Sequence, residues 1–322
     1  MPVARFVAWM LLAGTMVLGA SAASGQNYPD KPIRLVTAGA GGGVDFSARL
    51  IAQGVSASLG QQVIVDNRGG SPIIPAQTVA KAPPDGYTIL FYSNGMWLLP
   101  LIQRYVPYDP VRDFAPITMA TSSPNILVVH PSLPSRSVKD LIAIAKARPG
   151  ELNYGASPIG STIHLAAELF NSKAGVKTVL VPYKGVADAL SALIAGEVQL
   201  MFPAAGSAMP HLKSGRLRAL AVTSKQPSAL APGLPTMEAA GLPGFDVWVA
   251  YAILAPAGTP ATIVNRLNQA IVQALKPAET REKLLNAGLE VVGSSPEQLA
   301  AAMKTEIVTL GKVIKDAGIR VD

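Results

Sequence analysis

The run from Pro32 to Leu59 constrains the fold of this chain more than any other. Ile33, Leu35 and Val36 suit a short buried strand. Phe46, Leu50, Ile51, Val55 and Leu59 recur at helical spacing, and Gly60 is a natural stop. Between strand and helix lies a glycine-rich turn, Gly39 to Gly43. Such a turn presents backbone N–H groups at the positive end of a helix dipole, which suits an anion. The same order of elements opens a dinucleotide-binding unit, but that fingerprint is incomplete here. With Gly39 and Gly41 as its first glycines, Val44 holds the third place; in the register of Gly41 and Gly43, Phe46 does. Asp66 falls near the position of a ribose-binding acid. A plain link between strand and helix is the alternative that needs no ligand. We take the turn as a grip for a carboxylate.

The chain has 322 residues, room for two domains with their own cores. At 49% hydrophobic residues, disorder is excluded. It has no cysteine, which rules out disulfides, zinc ribbons and thiol nucleophiles. His130, His164 and His211 are too scattered for helical metal motifs, so no metal and no cofactor is expected. The net charge of +7 is spread along the chain without a basic stripe, so no nucleic-acid partner is expected. Arg5, the apolar run Phe6 to Gly19 and the small residues Ala20 to Ala23 read as an export signal over residues 1–25, cleaved near Ala22 to Gly25. The mature protein is then expected in the periplasm.

From Gln26 onward strands and helices alternate, the signature of α/β layers. Ser93-Asn94 follows a strand, at the end where α/β sheets bind ligands. Ser137 caps a helix through Ala147, and Ser295 starts the last helix with capping-box spacing. Thr259-Pro260 opens another helix by cap and first-turn proline. Ala156 to Thr162 turns into a helix carrying Leu165, Leu169 and Phe170 inward. Lys184-Gly185 turns into one closed by Gly196. Pro227 to Pro243 reads as an irregular connection, and Val247 to Leu254 as a central strand. Ser157 and Ser161 lack the Gly-x-Ser-x-Gly elbow, and no acid pair stands beside a histidine, so catalysis is not expected.

Several short motifs in order make the chain resemble the extracytoplasmic solute receptors of tripartite tricarboxylate transporters, the Bug family. They are Tyr28 to Arg34, Gly41 to Asp45, Val65-Asp66-Asn67-Arg68, Pro84 to Tyr87, His164 to Phe170, Val181 to Gly185 and Leu217 to Ser224. The resemblance covers nearly the whole mature chain. It implies a two-lobed periplasmic-binding-protein fold of type II, with a ligand cleft between the lobes and two crossover strands. Lobe I would comprise residues 26–124 plus 250–322, and lobe II residues 125–249. It also implies a small organic acid as ligand, membrane transporter subunits or a sensor kinase as partners, and action as a monomer.

Carried over by position, the first-lobe clamp is Ala38, Ala40, Gly41, Gly42, Gly43, Val44 and Asp45, joined by Ser93 and Asn94. The second lobe would add Ser157, Ile159, Gly160, Ser161, Thr162 and His164, with Tyr183, Lys184 and Gly185. Backbone N–H donors satisfy a buried carboxylate without a desolvated counter-charge. Asp45 also suits a helix cap, and Lys184 a solvated turn. Where the family is more polar, this chain has Met96 to Pro100 and Pro203-Ala204-Ala205. These replacements point to a more apolar pocket and an acid with an apolar or aromatic body.

Overall fold

The computed structural model describes residues 28–40, 43–69, 72–156 and 160–320. The expected export signal lies outside them, as do Gly41, Gly42, Ser157 and Ile159 of the expected clamp. No helix among the described residues is long and apolar enough to cross a membrane.

The described residues form two mixed sheets wrapped by helices. The first sheet opens with β1 (Ile33–Thr37) and β2 (Val63–Asn67), joined by α1 (Gly43–Leu59). Then come α2 (Ile73–Ala80), β3 (Thr88–Ser93), α3 (Gly95–Ile102) and the long β4 (Phe114–Pro124). The second sheet is built from β5 (Ile126–Val129), β6 (Asn153–Ala156), β7 (Val179–Pro182), β8 (Leu200–Met201) and β9 (Arg218–Val222). Its helices are α4 (Val138–Ala147), α5 (Thr162–Ala174), α6 (Val186–Ala195) and α7 (Ala205–Lys213). The chain then returns to the first sheet with β10 (Trp248–Pro256), α8 (Ala261–Ala274), α9 (Ala278–Asn286), β11 (Glu290–Val291) and α10 (Pro296–Asp316).

The first sheet runs β11-β4-β10-β3-β1-β2 and the second β7-β6-β8-β5-β9. In each, parallel strands connected through helices adjoin antiparallel ones. β4 and β10 pair antiparallel along their length, from Phe114 against Pro256 to Pro124 against Trp248. Just beyond that ladder the chain passes between sheets, and Asn125 and Thr223 tie the two passages together. Thr223 N–H donates to the Asn125 carbonyl (2.9 Å), and Asn125 N–H donates to Thr223 Oγ1 (3.0 Å). Val247 N–H donates to the Thr223 carbonyl (3.2 Å), and Thr223 Oγ1 reaches the Val247 carbonyl at 2.5 Å. The Thr223 hydroxyl is fully buried, so these bonds offset a desolvation that would otherwise cost about 1–3 kcal/mol; the buried Asn125 side chain donates its amide to the Phe202 carbonyl (2.6 Å).

One apolar core covers one face of the first sheet with α1 and α8, around Leu35, Ile51, Phe91 and Leu267. A larger one runs from the opposite face, at Val36, Leu90 and Trp97, into the second sheet at Phe170, Phe202 and Phe245. α10 is the bridge, packing on β4, α3 and α5 through a stripe of Leu299, Met303, Glu306, Leu310 and Val313. Its start is the expected capping box: Ser295 Oγ accepts Gln298 N–H, and Gln298 Oε1 accepts Ser295 N–H. Ser137 likewise caps α4 through Asp140 N–H, and Gly196 closes α6. Thr259 departs from expectation. Its hydroxyl donates to the Pro256 carbonyl, and Pro260 occupies the cap position of α8.

Candidate functional site

The first-lobe turn leaves β1 at Thr37, whose hydroxyl donates to the Phe91 carbonyl and holds the ends of β1 and β3 in step. α1 starts at Gly43. Ala38 is half-buried, Ala40 exposed and Val44 half-buried. The turn lies against the one that follows β2. A side chain on Gly39 would come within 3.3 Å of Gly69 Cα, so the close approach of two backbones asks for glycine here. Asn67 fastens the arrangement. Its amide donates to the Ala38 carbonyl and to Asp45 Oδ1, both at 2.8 Å, and its oxygen accepts from Arg49.

The Asp45 side chain is therefore a strut of the turn, and the contact expected of this residue would fall to its backbone N–H. It is buried, and Asn67 and the Arg49 guanidinium (3.0 Å) take up its Oδ1. Asp66, weighed above as a ribose-binding acid, pairs with Arg34 (2.7 Å) and Arg68 (3.2 Å).

Asn94 also differs from expectation. It is 1% exposed, and its amide donates to the Trp248 carbonyl (2.9 Å) and to Glu306 Oε1 (2.6 Å). Its side-chain oxygen accepts Ala250 N–H (3.3 Å). With every polar group engaged, it serves the core. Ser93, half-buried beside it, has no hydroxyl partner among the described residues.

Glu306 is the residue that sequence reasoning missed. Oε1 accepts from Asn94 and Oε2 from Trp97 Nε1 (2.8 Å), so one carboxylate on α10 holds the start of α3. Burial raises its pKa to about 7, opposed by those two hydrogen bonds and assisted by the charge of Asp246. Its signal in the sequence was an acid on an otherwise apolar helical stripe. Met96, Trp97 and Leu98, read above as making the pocket apolar, are buried in the core. They give no support to an apolar ligand body.

In the second half of the site, α5 begins with Ser161 as its cap and Thr162 as its first residue. Gly160 is buried with φ +80°, where L side chains are strained. A Cβ there would also collide with Ile102 Cδ1 at 2.1 Å. This contact joins the end of α3 to the turn before α5. Tyr183 N–H donates to the Ala156 carbonyl (3.0 Å), and its ring lies against Gly155. Lys184 is exposed, with no ion-pair partner among the described residues. Gly185 is the cap residue of α6.

His164 is 4% exposed, and its ring faces groups of the protein. Gly160 N–H donates to Nδ1 (3.0 Å), Nε2 lies 4.0 Å from Glu168 Oε1, and the Tyr154 ring stacks beside it. Tyr154 donates its hydroxyl to Glu168. Burial pushes the imidazole pKa below its ordinary value, against the opposing pull of Glu168.

Among the described residues no group of three or more His, Cys, Asp or Glu is placed to hold a metal. The site can offer N–H groups at the starts of α1 and α5, hydroxyls of Ser93 and Thr162, and the lysine at the head of α6. Groups of these kinds suit an anion.

A family model described as tripartite tricarboxylate transporter family receptor matches residues 47–319. The match begins just after the glycine turn. BugT of Bordetella pertussis is 35% identical over 309 residues, 94% of each chain. The solved structure of R. palustris Rpa4515 with adipate is 40% identical, with a TM-score of 0.76 over 91% of this chain and 99% of its own. MatC from Rhodopseudomonas palustris, solved with bound malate, is 30% identical, with a TM-score of 0.72 over 89% and 100%.

Proposed function

We propose, from the premise that this chain belongs to the tripartite tricarboxylate transporter receptor family, that it captures a small carboxylate between two lobes and delivers it to membrane transporter subunits. Lobe I is residues 26–124 with 250–322, and lobe II is residues 125–249. The passages beside Asn125 and Thr223 act as the hinge. The ligand carboxylate is held by N–H groups of the glycine turn, 38–44, and by Ser93. Opposite it stand the turn before α5, from Ser157 to Thr162, and Tyr183, Lys184 and Gly185. Asp45, Asn94 and His164 brace these walls from behind. The protein binds its ligand and releases it unchanged, as a periplasmic monomer freed of its signal segment.

The observation that carries this reading is that Rpa4515, so similar along nearly all of this chain, was solved with a dicarboxylate. The contact of Ile102 with Gly160 supports it from within, since α3 follows directly on Ser93-Asn94 and Gly160 lies in the turn before α5.

The test is thermal melting against adipate, malate and a panel of mono- and tricarboxylates, with the ligand recovered and analysed afterwards. A bound acid stabilises the fold by mass action, by about 2.7 kcal/mol at a hundred times Kd, and so raises the melting temperature. Gly42→Asp puts a fixed negative charge in the turn and is expected to abolish that shift. An unchanged shift in this variant would move the clamp elsewhere. Chemical conversion of the acid would make the protein an exported enzyme instead.

A further inference from the structure

We propose that His164 is a positioning residue of the ligand clamp. By accepting the Gly160 amide at Nδ1, it holds the turn before α5 against Ile102 and so sets the geometry in which the two lobes meet. This rests on the cleft-binding function proposed above.

The geometry leaves the imidazole one role. Gly160 N–H can only donate, so at 3.0 Å Nδ1 must offer its lone pair. In the neutral ring the proton then sits on Nε2, directed toward Glu168. Tyr154 from β6 stacks on the ring and donates to the same carboxylate, which fixes ring and acid together. Ser161 Oγ caps the His164 backbone N–H at 3.5 Å, so the residue is held through main chain and side chain alike. What the assembly secures is Gly160, whose missing side chain is the space that Ile102 fills.

A ring that works through a lone pair is switched off by a proton. Protonation puts N–H at Nδ1 facing the Gly160 N–H, donor against donor. Among the described residues Glu168 on the same helix and Tyr154 on β6 are the titratable groups at the ring; α3 presents the apolar Ile102 to Gly160. Burial keeps His164 neutral below the ordinary imidazole range. Ligand affinity should therefore be full at neutral pH and fall as pH drops through the depressed pKa.

The experiment uses the full mature chain, labelled at histidine and glycine nitrogens, with His164→Asn and His164→Ala. Asn places an amide oxygen where Nδ1 stands and does not titrate. In the wild type, long-range proton–nitrogen spectra should show Nδ1 bare at neutral pH, and the Gly160 amide should exchange slowly. Adipate affinity should fall on acidification to about pH 5. His164→Asn should bind adipate within about threefold of wild type at neutral pH and lose that acid-side fall. His164→Ala should deprotect Gly160 and weaken adipate roughly tenfold, the effect of one buried donor left unpaired.

A protonated Nδ1 at neutral pH would overturn the proposal. So would His164→Ala that binds adipate like wild type. If His164→Asn binds as weakly as His164→Ala while melting like wild type, the imidazole touches the ligand itself, and the positioning role falls. If no carboxylate binds the wild-type protein, the receptor function fails. The tautomer and Gly160 exchange, read without ligand, still decide the tie.

Discussion

At the scale of single residues, Glu306 is the most consequential side chain in the first lobe. Its carboxylate lies inside the larger core, where burying an ion costs several kcal/mol. The two hydrogen bonds from Asn94 and Trp97 return only part of that, which is why its pKa rises to about 7. The folded protein thus holds this proton more tightly than the unfolded chain, whose glutamate titrates near 4.5. The contribution of Glu306 to stability is greatest below that value and is lost as pH climbs to about 7, by at most about 3 kcal/mol. Glu306→Gln should remove this slope, read as the difference between mutant and wild-type melting temperature across that window. An identical slope in both proteins would mean that Glu306 is ionised throughout. The backbone needs at Gly39 and Gly160 were legible in the sequence because glycine itself reports them. The occupations of Asp45, Asn94 and His164 were not. Each depends on a partner set by packing, and the Asn94 partner lies 212 residues away.

At the scale of elements, the sequence was clearest where an end signal is local. Ser137, Ser295 and Gly196 mark their helix ends through their own nearest neighbours in the chain, and the structure uses all three as read. α3 and α7 escaped notice because each contains a proline, Pro100 and Pro210, which reads as a breaker. α9 escaped for the opposite reason: it buries little beyond Leu284, so it has almost no apolar period. β10 was foreseen as a strand, but not its knot with the end of β4 where both pass to the second sheet. Thr223→Val keeps the shape of that knot and deletes its hydroxyl, leaving the Asn125 N–H unpaired. The variant should lose about 1–3 kcal/mol in chemical denaturation. An unchanged midpoint would mean that water fills the hydroxyl's place.

At the scale of the whole molecule, two sheets are joined by two passages and one helix, and their elements also touch at Ile102 and Gly160, at Gly206 and Gly288, and where Ser228 donates to Glu290. A receptor of this form should contract as its cleft fills. Small-angle scattering is expected to give a smaller radius of gyration with whichever acid raises the melting temperature, and no change with acids that do not. α10 has a further consequence. It is synthesised after everything it clamps, yet Glu306 on it secures the start of α3, and its stripe completes the core shared by both sheets. Until α10 docks, the start of α3 lacks the two bonds from Glu306 and the shared core lacks its stripe. The proposed clamp thus takes one of its braces from a helix made after the segments it holds.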